Sequence, residues 1–351
     1  MKRSPRVSAA VSAGIVLLIP LSACTSTADR VEPGNPYAEY VWPAPPDEAR
    51  IGLTQIIRGR IDVEAGSGWS RALFGASPHG PYDYLKKPFA VAFDSQGRIL
   101  VSDSVKGVVI RFDRQGRRMD VFGSRGATQL KTPLGLDVGP EDAIFVADVG
   151  LGKVVSFDSR GKVRAAYGRR GELVNPTDAA LSPDGTRLYV TDSKTHKILV
   201  FDSETAELLF SFGQPGDGEG EFAFPTSLAF DGDGNLYVVD QINARLQLMT
   251  AEGKFLRQIG DRGTTFGKFV RPKDVAVDEV GNVYVTDNAF NNLQIFDREH
   301  RLLTFVGEGG TGPGRFHGAS GVAVRDREIA IVDQLGGRVQ VFRYLASKSE
   351  E

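Results

Sequence analysis

The chain contains one cysteine, Cys24, and four histidines among its 351 residues. A single cysteine excludes a disulfide within the chain. Neither charge dominates, because 42 Lys and Arg residues stand against 44 Asp and Glu, so the basic face that nucleic-acid binding requires is not expected. The chain is rich in glycine, with 41 residues, and has few long helical patterns. This combination is typical of an all-β protein with many turns.

The first 24 residues have the features of an export signal. A basic start is followed at residues 9–21 by an apolar run that is too short to span a bilayer. The run ends in Leu21-Ser22-Ala23-Cys24, which resembles the lipobox of bacterial lipoproteins. That resemblance implies a signal peptide over residues 1–23 and a diacylglycerol on the thiol of Cys24. The alternative is an ordinary secretory signal that ends beside a cysteine.

Residues 24–49 predict a tether between the lipid and the folded domain, because they are polar and rich in proline. Tyr40 and Trp42 are the exceptions and could pack onto the domain. Thr25 follows the cysteine, which resembles the outer-membrane sorting of Gram-negative lipoproteins. We therefore expect anchoring at the periplasmic side of an outer membrane or at the cell surface. After Cys24 no apolar run is long enough for a transmembrane helix, and residues 346–351 form a charged tail.

An internal repeat is the main signal in the sequence. Aspartate recurs every 44 to 48 residues, each time nine residues before a large apolar residue. The repeated residues are Asp103, Asp148, Asp192, Asp240, Asp287 and Asp333. Each unit contains four short strand patterns, such as 228–231 and 236–240, which are separated by Gly-containing and Asn-containing turns. Four antiparallel strands in about 45 residues predict one propeller blade, so six units predict a six-bladed β-propeller over residues 50–345.

The connections between the units resemble the NHL repeat. Residues 213–225 with 228–231 carry its signature most fully, and residues 260–272 and 307–316 repeat it. The resemblance covers about residues 75–343 and implies an all-β, six-bladed propeller, a fold that hosts many activities. The last unit lacks a fourth strand, and we predict that residues 50–57 supply it. Residues 59–84 predict an insertion before blade one, with a helical turn at 70–74.

The six aspartates are the first candidates for a ligand site, because rings of carboxylates bind cations. Each, however, ends a strand before a loop rich in Ser, Gly and Asn. Hydrogen bonds to loop amides, or to the basic residue five positions later (Lys153, Lys197, Arg245 or Arg338), would explain their recurrence. We interpret them as structural.

Catalytic groups are harder to find. None of His79, His196, His300 and His317 falls on an innermost strand, which departs from the zinc-binding pattern of the NHL-like peptidylglycine lyase. A ligand set like that of gluconolactonase or streptogramin lyase is also missing from the inner strands. We therefore predict no catalytic residue, no metal and no cofactor.

The polar residues that break the repeat at the start of the inner strands are the best candidates for ligand contact. They are Thr177, Asp178, Thr226, Ser227, Lys273 and Asp274. The alternative is that they are solvated residues at a wet channel mouth. The loops after the aspartates, with Phe290 and Asn291, offer a second surface for a protein partner.

These observations favour a monomeric, lipid-anchored binding or scaffolding module for an envelope protein, peptide or glycan. The competing hypothesis is a metal-assisted lyase or lactonase-like hydrolase that acts at the channel mouth.

Overall fold

The computed structural model describes residues 34–64, 80–126 and 129–345. The N-terminal part contains β1 (Val41–Trp42) and β2 (Ile51–Ile57). Blade one is β3 (Pro88–Phe93), β4 (Ile99–Asp103), β5 (Val108–Asp113) and β6 (Arg118–Phe122); blade two is β7 (Pro133–Val138), β8 (Ile144–Asp148), β9 (Lys153–Phe157) and β10 (Val163–Tyr167). Blade three is β11 (Pro176–Leu181), β12 (Arg187–Asp192), β13 (Lys197–Asp202) and β14 (Leu208–Phe212).

Blade four is β15 (Pro225–Phe230), β16 (Leu236–Asp240), β17 (Arg245–Met249) and β18 (Phe255–Ile259); blade five is β19 (Pro272–Val277), β20 (Val283–Asp287), β21 (Asn292–Phe296) and β22 (Leu302–Val306). The short strands β23 (Glu308–Gly309) and β24 (Arg315–Phe316) pair in the next connection, before β25 (Ala319–Arg325), β26 (Glu328–Asp333) and β27 (Arg338–Tyr344) of blade six. Two short 3-10 helices, Arg60–Asp62 and Pro140–Asp142, complete the regular structure of the described ranges.

Every blade is an antiparallel sheet, and in blades one to five the strands follow one another in sequence order. The innermost strands contact their neighbours around the ring, including β25 of blade six with β3 of blade one. The predicted all-β, six-bladed propeller is confirmed. Its apolar side chains form clusters between neighbouring blades, for example Val101 and Val108 of blade one with Val332 of blade six. A sheet in this arrangement buries both faces only by contacting two neighbours, which is why the ring must close.

The ring closes through the N-terminal strand, as the sequence predicted. β2 pairs antiparallel with β27, from Ile51 opposite Tyr344 to Ile57 opposite Val339. Ile51, Leu53 and Ile57 are completely buried. Blade six is therefore built from both ends of the folded region.

The segment before β2 also lies on blade six. β1 pairs with β2, and the ring of Trp42 contacts Phe342 edge to face with 5.4 Å between the centroids. Tyr37 and Tyr40 pack against the same apolar cluster, which lies between blades five and six. The packed region thus begins upstream of residue 50, because these aromatic side chains bury apolar surface there.

Several sequence predictions lie outside the described residues. They are the signal peptide at 1–23, the lipidated Cys24, the helical turn at 70–74, His79 and the tail at 346–351. Within the described residues, no helix has the length and the apolar character needed to cross a bilayer.

The start of every inner strand is irregular. In each blade the pairing register shifts directly after the first residue of the strand, as between Pro176 and Asp178 or between Pro272 and Asp274. Such a bulge changes the direction of the side chains beside it. The positions that the bulge affects are those that vary in chemistry from blade to blade.

Candidate functional site: the axial channel

The six repeated aspartates are completely buried. Every one accepts hydrogen bonds from one or two backbone amides that directly precede the innermost strand of its own blade, as Asp148 does from Lys131 (2.6 Å) and Thr132 (3.0 Å). Loop residues after the aspartate supply further donors, such as the amide of Leu151. The carboxylate therefore joins the connection between two blades to the end of a strand, which accounts for its recurrence by hydrogen bonding alone.

Two of these carboxylates also pair with a buried arginine. Nε of Arg245 lies 2.9 Å from Asp240, and Nε of Arg338 lies 2.8 Å from Asp333. Lys153 and Lys197, at the equivalent positions, make no such ion pair within the described residues. The arginine side chain extends further, since Nη2 of Arg338 also bonds the carbonyl oxygens of residues 312 and 315.

The innermost strands surround a cavity of about 620 Å³ on the axis of the ring. The position two residues after the start of each inner strand lines this cavity in all six blades. Its occupants are Ala90, Gly135, Asp178, Ser227, Asp274 and Gly321. Only three of the six are polar, and they lie on consecutive blades three, four and five. At this position the polar side chains therefore lie on one side of the channel.

Asp178 connects three blades at this level. Its Oδ2 accepts the backbone N–H of Leu228 in blade four at 2.9 Å, while Oδ1 lies against Gly135 of blade two. The residue is 8% exposed. Burial raises the pKa of Asp178 well above its ordinary value, and the nearby charge of Asp274 raises it further.

Asp274 uses both carboxylate oxygens across blade boundaries. Oδ1 accepts the hydroxyl of Ser227 from blade four, and Oδ2 accepts the backbone N–H of Val322 from blade six at 2.8 Å. Burial raises the pKa of Asp274 to about 6, although these hydrogen bonds and the charge of Lys273 act in the opposite direction. A carboxyl group with this pKa gains or loses its proton as the pH passes through about 6.

Lys273 is the only one of the six predicted residues that carries a positive charge. Lys273 starts on blade five, and its Nζ lies 4.7 Å from the centroid of the Phe89 ring on blade one. The side chain therefore extends past blade six at the edge of the cavity. Burial lowers the pKa of Lys273. The ammonium is held by a cation–π contact.

Thr177 and Thr226 line the same cavity. Both are buried, at 5% and 4% exposure, and their hydroxyls are engaged between blades. Oγ1 of Thr177 lies 2.6 Å from Oγ of Ser193 in its own blade and donates to the carbonyl of Pro225 in blade four at 3.4 Å. Oγ1 of Thr226 donates to the carbonyl of Lys273 in blade five at 3.2 Å. The structure therefore places all six predicted residues in the lining of the cavity, with the hydroxyls of the two threonines also bonded to neighbouring blades.

Asp137 is a channel carboxylate that the sequence reasoning missed. It lines the cavity, and its Oδ2 accepts the backbone N–H of Leu181 in the next blade at 2.8 Å. Burial raises its pKa. The equivalent position holds alanine in the other five blades: Ala92, Ala180, Ala229, Ala276 and Ala323. That single break in an otherwise uniform column was the available signal.

The described histidines lie away from the channel. His196 bonds the backbone of residues 222–224, and His300 lies between blades four and five with its Nε2 2.9 Å from the hydroxyl of Tyr237. His317 is exposed in the connection before blade six. Within residues 34–64, 80–126 and 129–345, no three His, Cys, Asp or Glu side chains are placed to hold one metal ion.

The second predicted surface, at Phe290 and Asn291, forms hydrogen bonds within the protein. Oδ1 of Asn291 accepts the backbone N–H of Gly318 at 2.6 Å, and the backbone N–H of Phe290 lies 3.2 Å from Asp287. Both residues are half-buried. This loop contributes hydrogen bonds between blades five and six.

Comparison with known proteins shows the fold. No protein-family model matches the chain. The structure is similar to virginiamycin B lyase from Staphylococcus aureus, at 14% identity and a TM-score of 0.54 over 73% of this chain and 80% of that chain. It is also similar to a gluconolactonase from Xanthomonas campestris (16% identity, TM-score 0.58, 83% and 98% covered) and to a protein of unknown function from Bacteroides thetaiotaomicron (16%, 0.60, 74% and 70%). At these identities the likeness extends to the propeller architecture alone.

Proposed function

We propose that this chain is a lipid-anchored, extracytoplasmic propeller of NHL type that binds an envelope protein, peptide or glycan in its axial channel. The observation that carries this proposal is the pair of carboxylates Asp178 and Asp274 on one side of a cavity of about 620 Å³. A cavity of this size, with few polar groups at defined positions, has the character of a ligand site.

The chemistry of the wall favours a ligand with hydrogen-bond donors or a positive charge. The negative charge of Asp274 repels that of Asp178 and raises the pKa of Asp178, because both carboxylates lie at the channel axis. A ligand ammonium, or several hydroxyl groups, would relieve this repulsion by supplying a charge or donors to the carboxylates. Lysine side chains of peptides and amino groups of glycans carry such groups.

The ligand can be sought by capture from detergent-solubilised envelope membranes, with the bound material identified by mass spectrometry. We expect a partner that the wild-type chain retains and that the variant Asp178→Asn/Asp274→Asn loses. Asp261→Asn is the matched control, because it neutralises an exposed carboxylate paired with Lys268 and leaves the channel intact. Equal capture by all three proteins would contradict a role for the channel.

The lipid anchor has its own test. Replacing Cys24 by Ser removes the thiol that the lipobox-like sequence would acylate. In cells labelled with a palmitate analogue, we expect label on the wild type and none on Cys24→Ser, together with release of the variant from the membrane fraction. Label on both proteins would contradict the proposed anchor. The same fractionation, carried out on separated membranes, tests the proposed outer-membrane or surface location.

An enzymatic role is the second candidate, because two of the similar structures are named as a lyase and a gluconolactonase. A metal-assisted reaction needs several ligands at one point, and the described residues do not supply such a group. Elemental analysis of the purified protein separates the two proposals. Stoichiometric calcium or zinc that is lost in Asp178→Asn/Asp274→Asn would favour the enzyme over the binding module.

A further inference from the structure

A second cavity, of about 400 Å³, lies between blade one and blade two at a distance from the axis. Four arginines and two aspartates dominate its lining, and none of its residues lines the axial channel. The lining consists of Gln96, Arg98, Arg111, Arg118, Asp120, Phe122, Asp142, Ser159 and Arg160. This cavity is therefore a separate feature of the ring.

Arg111 forms the fixed floor of the cavity. It is 5% exposed, and its Nη2 lies 2.7 Å from Oδ2 of Asp120 while Nη1 donates to the carbonyl of Ser159 in blade two at 2.7 Å. The guanidinium also lies over the Phe122 ring, 4.9 Å from its centroid. These contacts hold the positive charge between the two blades in one orientation.

Arg98 and Asp142 form a second fixed wall. Nη2 of Arg98 lies 3.2 Å from Oδ2 of Asp142, and the backbone N–H and hydroxyl of Ser95 hold the same carboxylate at 2.8 and 3.0 Å. Nε of Arg98 is bound to Asp94. Nη1 of Arg98 has no protein acceptor among the described residues, and this nitrogen is not fully buried. It therefore remains open to a ligand or solvent.

The outer side of the cavity carries two further arginines. Arg118 contacts Asp120 through Nε at 3.2 Å, which leaves both of its Nη groups without a protein acceptor in the described ranges. Arg160 is exposed and makes no ion pair with another described residue. Four guanidinium groups stand against the two lining carboxylates and Asp94, which pairs with Arg98, so the local charge is +1 (4 − 3) in a chain whose net charge is −2.

We propose that this cavity binds the phosphate group of a phosphate-bearing ligand. A phosphate group is negatively charged at neutral pH, with a charge of about −1.5 to −2 for a monoester, so it is opposite in sign to the local excess. Guanidinium groups bind phosphate oxygens through two parallel N–H donors, which Arg118 and Arg160 present from two blades, while Arg98 adds its Nη1 group. The volume admits a phosphate together with a small polyol, so an inorganic phosphate, a sugar phosphate and a lipid headgroup share the required chemistry.

Calorimetric titration of the full chain at low salt tests this site with three probes. They are inorganic phosphate, glucose 6-phosphate, and dihexanoyl phosphatidylglycerol below its micellar concentration, with dihexanoyl phosphatidylcholine as the neutral-headgroup control. We expect saturable binding of at least one phosphate probe, weakened about tenfold or more in Arg118→Gln/Arg160→Gln and weakened by added salt. The probe that binds most tightly identifies the source of the phosphate.

Arg301→Gln is the matched control variant. Arg301 is also an exposed arginine in a hairpin between the third and fourth strands of a blade, but it pairs with Asp297 and Glu299 on blade five. Its substitution should leave phosphate affinity unchanged. The proposal is wrong if no phosphate probe binds the wild type, or if Arg301→Gln weakens binding as much as Arg118→Gln/Arg160→Gln. Because both substituted arginines are exposed, the denaturation midpoint of the double variant should stay close to that of the wild type, which separates lost binding from lost folding.

Discussion

Asp178 of blade three occupies the space that a side chain on Gly135 of blade two would need. A Cβ atom on Gly135 would lie 2.0 Å from Oδ1 of Asp178 and 2.6 Å from its Cα. The second distance involves backbone, so the conflict cannot be relieved by a side-chain rotation alone. The carboxylate reaches the axis because the neighbouring blade has glycine at the equivalent position.

Gly135→Ala should therefore destabilise the ring. We expect the free energy of unfolding in urea to fall by about 1–3 kcal/mol, since the added methyl group forces the two inner strands apart. Gly232→Ala is the control, because a Cβ there meets nothing within 4 Å and the backbone is not in the left-handed region. If both variants were as stable as the wild type, the close contact between Gly135 and Asp178 would be excluded.

The buried carboxylate of Asp274 predicts a pH dependence of stability. Its pKa is about 6 in the folded chain, against about 3.9 for an unfolded aspartate, so the folded state binds the proton more tightly. This contribution is fully present below about pH 4 and is lost as the pH rises through about 6.

Asp274→Asn cannot ionise, so its stability relative to the wild type should increase between about pH 4 and pH 7. The expected gain is on the order of 1–3 kcal/mol, measured by urea denaturation at several pH values. Asp178 titrates on the same axis with a raised pKa, so the double variant Asp178→Asn/Asp274→Asn should show a larger change. Curves for wild type and Asp274→Asn that stay parallel over this range would contradict the assigned pKa.

The closing strand predicts a large effect of a single buried residue. Leu53 of β2 is completely buried in the apolar cluster between blades five and six. Leu53→Ala should cost about 2–5 kcal/mol of unfolding free energy, because it leaves a cavity at the point where the ring closes. Leu303→Ala, on the outer strand of blade five at 47% exposure, should cost less than about 1 kcal/mol. Similar losses for the two variants would argue against closure through β2.

The repeated aspartates predict that removing one buried carboxylate lowers the stability of the protein. Asp240 pairs with Nε of Arg245 at 2.9 Å and accepts the backbone N–H of Ala223 at 2.7 Å. Asp240→Ala would leave the buried Arg245 without its partner, at a cost of about 3–5 kcal/mol in chemical denaturation. Asp233→Ala removes an exposed carboxylate from the neighbouring hairpin and should be close to neutral. A neutral Asp240→Ala would show that the ion pair does not stabilise the blade.

Much of the fold could be read from the sequence. The column of aspartates from Asp103 to Asp333 indicated six units, and the missing fourth strand of the last unit indicated that residues 50–57 close the ring. Both features are local and periodic, so they can be counted without knowing any contact. The packing of Tyr37 and Trp42 onto blade six could not be derived in this way, since it depends on a surface that exists only after blades five and six have formed.

The site was harder to predict than the fold. Asp178, Ser227 and Asp274 were found because they break the repeat, and Asp137 was missed because it does so two residues further along its strand. Thr177 and Thr226 break the repeat as well and line the cavity, but their hydroxyls also bond neighbouring blades. Which polar residue faces the cavity depends on the bulge at the start of each inner strand, and the sequence pattern does not reveal its geometry.

The sequence by itself determined the number of blades, the order of their strands and the way the ring closes, because repeating apolar strands of this length can bury both faces only in a closed circle. Only the tertiary structure decided which side chains meet. Arg98 and Arg160 are 62 residues apart in the sequence (160 − 98), and Asp178 and Asp274 are 96 residues apart (274 − 178). The members of each pair line the same cavity because the ring brings their separate blades together there. No local pattern in the sequence encodes that proximity.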